Sequence, residues 1–268
     1  MQPAVSRAYI CGLMTTWLDL ERELSAWRNT GLTPTFWWRD DDAEAATPAL
    51  DRLIGLAERH GAPLHLAVVP SGVCAGLAER LARASEVYTL QHGYAHINRE
   101  PPGARASELG QHRPLAYQIA DLRLGWQRLA EAGLPNLLPA FAPPWNRIAD
   151  RTVARLPELG YRLLSTCHAR KSPSPVQGLH QVNIHVDPIR WKGGAGFRGT
   201  AATLEILVRH LRERRTGQAD RDEPTGLSTH HLQTDEPVWA FLDELLTRLG
   251  PGSGAEWVRL ARLTGSAG

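Results

Sequence analysis

The stretch "FWWRDDDAEAATPALDRL", residues 36–53, decides how the rest of the chain is read. An apolar run ends in Arg39 and three consecutive acids, Asp40, Asp41 and Asp42, and no basic residue follows until Arg52. Adjacent like charges repel, so a buried segment that ends this way needs a counter-charge. Thr35 to Trp38 reads as a short strand. Thr47 and Pro48 read as a helix start, Leu50, Leu53, Ile54 and Ala57 as its apolar stripe, and Gly61 as its stop. The acids therefore follow a strand and precede a helix.

The same alternation runs outward in both directions. Trp17, Leu20, Leu24 and Trp27 are spaced for one face of a helix over 15–29. Downstream strands are read at 64–70, 87–91, 136–141, 161–166, 179–186 and 225–231. Helices are read at 77–84, 115–132, 149–159, 201–215 and 236–249, with a last short helix carrying Trp257. Strands this apolar, alternating with helices, imply a parallel sheet covered on both faces. About seven units without a composition break or repeat suit a single α/β domain over 1–268, with 1–30 as an N-terminal helical extension. A closed or nearly closed barrel fits seven units, and an open doubly wound sheet is the competing architecture; either places its site at the carboxyl ends of the strands.

Composition narrows the function. The chain has 268 residues and is 43% hydrophobic, which suits a sizeable core and excludes disorder. A net charge of +2 with 22% charged residues demands neither a nucleic acid nor a membrane as partner. Cys11, Cys74 and Cys167 lie far apart, which excludes a disulfide framework and a cysteine-based zinc site. The apolar stretch at residues 8–20 is too short to span a bilayer and carries no cleavage site, so the protein reads as cytoplasmic.

What collects at the strand ends is chemically coherent. Asp40 to Asp42 follow the first strand, His92 and His96 the third, "APPWN" the fourth, Asp187 the strand ending "NIHV", and His230 with His231 the last. If the strands are parallel neighbours, all five groups face one cavity. A carboxylate with two imidazoles is a ligand set for a divalent metal, zinc first, with cobalt, nickel or manganese also accepted. Histidines four residues apart on a helical turn share one side. An ion would also offset the repulsion among the acids, one acid ligating, another staying ionised as a base, and Arg39 or the ion absorbing the remaining charge. The alternative for Asp42 is a capping or solvated position, and on a strand only one of His230 and His231 enters the cavity.

This order of an acid pair, H-x-x-x-H some fifty residues later, a proline–tryptophan loop and a late histidine resembles the polysaccharide deacetylases. These are the NodB-homology enzymes of carbohydrate esterase family 4, and the resemblance spans roughly residues 33 to 235. It implies a distorted (β/α)7 barrel and a metal-dependent hydrolase that removes an acetyl or similar acyl group from a carbohydrate or small acylated compound. Carried over position by position, it implies Asp41 as base and Asp42 as ligand, or Asp40 and Asp41 if the register slides by one. His92 and His96 complete the ligand set. Trp145 and Pro144 would wall the substrate pocket, and His230, with His231 as fallback, would be the acid, supported by Asp187 of "DPIRW" next to Trp191. The family's third motif begins with an arginine that pairs with the base; here that place reads Phe141 or Ala142, leaving Arg39 or Arg147 as stand-ins. Two other readings compete: a catalytically silent carbohydrate-binding protein on the same barrel, and a metal hydrolase of a non-acetyl C–N bond. Arg209, Arg212, Arg214 and Arg215 read as a solvated helix face, and "KGGAGFRG" as a mobile loop.

Overall fold

The computed structural model describes residues 14–264, so Cys11 and the first part of the N-terminal extension lie outside the described residues. Six strands, β1 (Thr35–Ala43), β2 (Leu64–Val68), β3 (Val87–His92), β4 (Leu137–Ala142), β5 (Leu163–Leu164) and β6 (His180–Gln181), pair in sequence order and in parallel. A small antiparallel hairpin, β7 (Ile189–Arg190) and β8 (Gly196–Phe197), follows. Strand β9 (Thr225–Thr229) then pairs parallel to the other side of β1, Trp38 lying opposite Leu227. The two edges meet beyond β6. The N–H groups of His185 and Val186 donate to the Gly226 carbonyl at 2.8 and 3.0 Å, and the Ser228 N–H donates to Val186 at 2.8 Å. A Cβ on Gly226 would stand 2.4 Å from the Asn183 carbonyl oxygen, so this close approach requires glycine. The result is a distorted (β/α)7 barrel.

Helices α1 (Trp17–Asn29), α2 (Pro48–His60), α3 (Ala75–Leu81), α4 (Leu115–Glu131), α5 (Asp150–Val153), α6 (Thr200–Thr216) and α7 (Glu236–Arg248) cover the outside. Helix α2 begins as its sequence dictates: the Thr47 side chain accepts from the Leu50 N–H, Pro48 occupies the first turn and Gly61 ends the helix at φ 61°. Alternation along β1 divides the core. Phe36 and Trp38 pack outward with Leu50, Leu53, Leu207 and Leu245, whereas Trp37 points inward among Ala67, Leu90, Ala140 and Leu163. Small residues on the inner face leave room for the large ring.

Several boundaries differ from the sequence reading. Strand β1 continues five residues past Trp38 to Ala43, so the acids belong to the strand itself, with Asp40 paired on both sides. The helix expected over 149–159 stops after Val153 and resumes as a short 3-10 turn at Pro157–Leu159, because Pro157 cannot continue an α-helical ladder. Trp257 lies in a two-residue strand, β10 (Glu256–Trp257), along the start of β1, and the last helix, α8 (Ala261–Thr264), comes after it. No helix among the described residues is long and apolar enough to cross a membrane.

Candidate metal centre and active-site cavity

The acids at the end of β1 are sorted by strand geometry. Arg39 and Asp41, two residues apart, share the inward face with Trp37, and Asp40 takes the opposite face. Asp42 then adopts φ 69° and the register with β2 shifts between Asp40 and Ala43. Aspartate tolerates this left-handed conformation better than most residues. The break in alternation brings Asp41 and Asp42 to the same cavity.

Asp40 is fully buried and committed elsewhere. One of its oxygens accepts from the Thr229 hydroxyl at 2.6 Å and the His231 N–H at 3.0 Å, while the other lies 2.5 Å from His231 Nδ1. Burial opposes a charge on His231, but Asp40 overrides it and raises the ring's pKa. This pair fastens the end of β9 to β1 and does not line the cavity. Asp41 is gripped from behind: Arg39 donates through Nε at 2.7 Å and Nη2 at 2.8 Å to its two oxygens. The same guanidinium also donates to the Ser165 carbonyl and hydroxyl and to Asn146 Oδ1, and is itself fully buried. Burial opposes ionisation of Asp41, yet the charge of Arg39 holds its carboxyl below the usual range.

Asp42 Oδ1 lies 3.2 Å from His92 Nε2 and 3.3 Å from His96 Nε2, and has no hydrogen-bond donor although it is buried. Nδ1 of His92 sits 3.0 Å from the Ala142 carbonyl, which fixes it as the N–H donor and leaves Nε2 with its lone pair toward Asp42. Acceptor atoms face one another here, and only a cation or a proton relieves that. Two ligands of a tetrahedral zinc stand about 3.3 Å apart, from bond lengths near 2.0–2.1 Å. The donor set and spacing therefore fit a divalent ion. Burial opposes a proton on His92 and the charges of Asp41 and Asp42 favour one, with a net rise in pKa. For His96, burial and the charge of His92 push the pKa down.

The loop carrying His96 is held by a residue that sequence reasoning passed over. Glu108, almost wholly buried, accepts from the N–H groups of Tyr94 at 3.0 Å and Ala95 at 2.8 Å. Gly93, just before them, has φ 58°, and a Cβ there would stand 2.1 Å from Glu108 Oε2. Nothing in the sequence distinguished Glu108 from Glu100 in the stretch rich in Pro, Gly and Arg over 99–113. His96 itself has φ 53°. Its ring lies 4.3 Å from that of Trp145, whose backbone, with Asn146, is also left-handed at φ 54° and 56°. Pro144 is buried beneath and does not line the cavity, nor does Arg39.

Asp187 uses its carboxylate on the Ile189 N–H at 2.8 Å and the Trp191 indole N–H at 2.7 Å. Burial pushes its pKa up, opposed by the charge of His230 and by those bonds. The Trp191 ring stands edge-on to His230 at 4.6 Å, and His230 Nε2 lies 3.8 Å from Asp41 Oδ2. Asp41, Asp42, His92, His96, Trp145, Asp187, Trp191 and His230 thus line one cavity of about 500 Å³.

A second group, His185, His210 and Glu223, brings potential ligand atoms together beside this cavity, which His185 also lines. It does not suit an ion. His185 Nδ1 accepts from the Gly226 N–H, which leaves the proton on Nε2, facing Glu223 Oε2 at 3.4 Å. The rings of His185 and His210 stack at 3.6 Å, so their in-plane lone pairs do not converge.

The arginine run on α6, expected to be solvated, splits four ways. Arg214 is buried and donates to Thr35, Thr225 and Arg221, whereas Arg215 pairs with Glu23. Arg212 stays in solvent near Glu23, and Arg209 lines the cavity.

No family model matches the sequence, and no curated protein matches it. Solved structures do match in shape. A candidate polysaccharide deacetylase from Mycobacterium smegmatis superposes with a TM-score of 0.65 at 17% identity, over 87% of this chain and 89% of that one. A family 4 carbohydrate esterase from Streptomyces lividans, solved with acetate, gives 0.54 at 15% identity over 87% and 95%. The peptidoglycan deacetylase PdaC from Bacillus subtilis gives 0.52 at 14% over 87% and 91%. These superpositions, over most of each chain, show that the chain has the fold of the NodB-type polysaccharide deacetylases, carbohydrate esterase family 4.

Proposed function

We propose that this chain is a metal-dependent deacetylase that hydrolyses the amide of an acetylated sugar or similar small acylated compound. The observation that carries this reading is the buried, donor-free Asp42 oxygen set against two imidazole nitrogens, beside an ionised, arginine-held Asp41. Asp42, His92 and His96 hold the divalent ion, for which zinc is the first choice. Bound there, the ion supplies a Lewis acid for the acyl oxygen and lowers the pKa of an attacking water.

The chain's own residues do the rest. Asp41 is the base and takes the water's proton. Arg39 stands in for the third-motif arginine: it keeps Asp41 ionised and turned to the cavity. His230 carries a proton to the leaving amine, and Asp187 acts on it through Trp191, by fixing the indole against its ring. Trp145, packed on His96, walls the pocket beside the acyl methyl. Asp40 and His231, locked to each other, set the position of His230.

Acetate release from a panel of N- and O-acetylated sugars, with the purified protein and one equivalent of zinc, tests the reading. Release of acetate that is lost in Asp41→Asn agrees with it. Formate or ammonia as the only product would transfer the same site to a different C–N hydrolase.

A further inference from the structure

Three guanidiniums reach the cavity from three separate elements: Arg147 after β4, Arg198 after β8 and Arg209 on α6. Arg147 donates to the Ala106 carbonyl at 2.7 Å, and Arg198 to the Asp187 and Ile189 carbonyls at 3.0 and 3.2 Å. Arg209 is exposed at the mouth and shares a face of α6 with Ile206, three residues earlier and also in the lining. Of the carboxylates in the cavity, Asp41 is matched by Arg39 and Asp42 faces the imidazoles. Asp187 takes the Ile189 N–H and the Trp191 indole N–H and feels the charge of Arg198 without forming an ion pair with it. Among the described residues, no ion pair joins any of these three arginines to an acid.

Guanidiniums that line a cleft without an ion-pair partner raise the local positive potential and draw in a ligand of the other sign. Guanidiniums, with donors in a planar fork, match carboxylate and phosphate oxygens in particular. A neutral glycan would fill this cavity and leave the fixed charge uncompensated. We infer that the substrate carries an oxyanion, a carboxylate or a phosphate, at a point remote from its acyl group, and that Arg147, Arg198 and Arg209 receive it. The inference rests on the deacetylase reading for the acyl end alone.

The probes are 2-acetamido-2-deoxyglucose, its 1-phosphate, its 6-phosphate and its 3-O-lactyl ether, which present no anion, a phosphate at either end, or a carboxylate. Binding is read by calorimetry on the Asp41→Asn protein, in which the ligands persist, and acetate release is read on the wild type. At least one anionic sugar is expected to bind about tenfold tighter than the neutral one, with a preference that shrinks as salt rises. Adding Arg209→Ala or Arg147→Ala should reduce that preference to about twofold or less, and adding Arg212→Ala, whose guanidinium faces Glu23 and does not line the cavity, should preserve it. Equal binding of all four sugars overturns the inference, as does a preference that survives both alanine substitutions. Acetate release without charge preference leaves the deacetylase reading intact. Charge preference without acetate release from any probe removes that reading and keeps the oxyanion site. The phosphate and lactyl arms identify which oxyanion is preferred.

Discussion

Arg39 and Asp41 sit two positions apart on one strand face, and the burial of both makes their partnership obligatory. Replacing Arg39 by Met leaves a buried carboxylate with no counter-charge, which costs about 3–5 kcal/mol for such pairs. Urea unfolding of Arg39→Met should show a loss of this order, and Arg39→Met/Asp41→Asn should recover part of it. Asp41→Asn alone keeps the hydrogen-bonding shape and loses the charge. It is expected to retain metal and to lose turnover by about 10²–10⁴-fold, the usual contribution of a general base. Full turnover in that variant would move the base role away from Asp41. Asp40 is a poor substitute, since its oxygens are already occupied by Thr229 and His231. The sequence left Asp40 and Asp41 open as alternatives because charges after an apolar run look like a loop. Once β1 extends to Ala43, alternation separates them.

At the scale of elements, the H-x-x-x-H segment depends on a neighbouring loop. Glu108 collects two backbone N–H groups of the turn between His92 and His96, one on each carboxyl oxygen. Glu108→Gln keeps the size and weakens those bonds, so metal affinity should fall by about 10–100-fold, the range seen when groups behind metal ligands are altered. Competition with a chromogenic chelator measures this, and circular dichroism checks that the barrel is retained. An unchanged affinity would assign Glu108 to folding alone. How much of this was legible follows a simple division. The strand–helix alternation was readable from local periodicity, and the spacing of His92 and His96 marked a ligand pair, although His96 sits in a loop at φ 53° and not on a helical turn. Asp42 was reached through the family resemblance, since its φ of 69° breaks the alternation a strand predicts. Glu108, Asn146 and Ser165 were not readable, because Glu108 acts on the Tyr94–Ala95 turn and Asn146 and Ser165 act on Arg39, contacts between segments far apart in the chain. The run Arg209 to Arg215 misled for the same reason: its charges face four different surroundings of one helix.

For the whole molecule, the floor of the barrel carries a pH limit. His65 is fully buried, its Nδ1 lying 3.0 Å from the Trp38 carbonyl and its Nε2 accepting the Leu260 N–H at 3.0 Å, which ties the C-terminal segment to the barrel. Protonation at Nε2 would break the second bond, and burial lowers the ring's pKa to about 4 from an ordinary 6.5. Below about pH 6.5 the unfolded chain takes up a proton that the folded chain refuses until about pH 4. Stability therefore falls with falling pH across that window, by roughly 3 kcal/mol from this residue. Burial depresses His210 in the same direction. Thermal melting should drop between pH 6.5 and 4, and His65→Gln, able to donate and accept while neutral, should flatten the profile. A wild-type melting temperature constant over this range would show that His65 does not set the limit.

The central claim is that Asp42 near the end of β1, His92 at the end of β3 and His96 in the loop after it share one cation. Metal analysis by mass spectrometry after gel filtration in metal-free buffer addresses it most directly, on the wild type, Asp41→Asn, Asp42→Ala and His96→Ala. One divalent ion per chain is predicted in the first two and essentially none in the last two. An ion retained equally in Asp42→Ala and His96→Ala, or no ion taken up by the wild type under added zinc, would contradict the account.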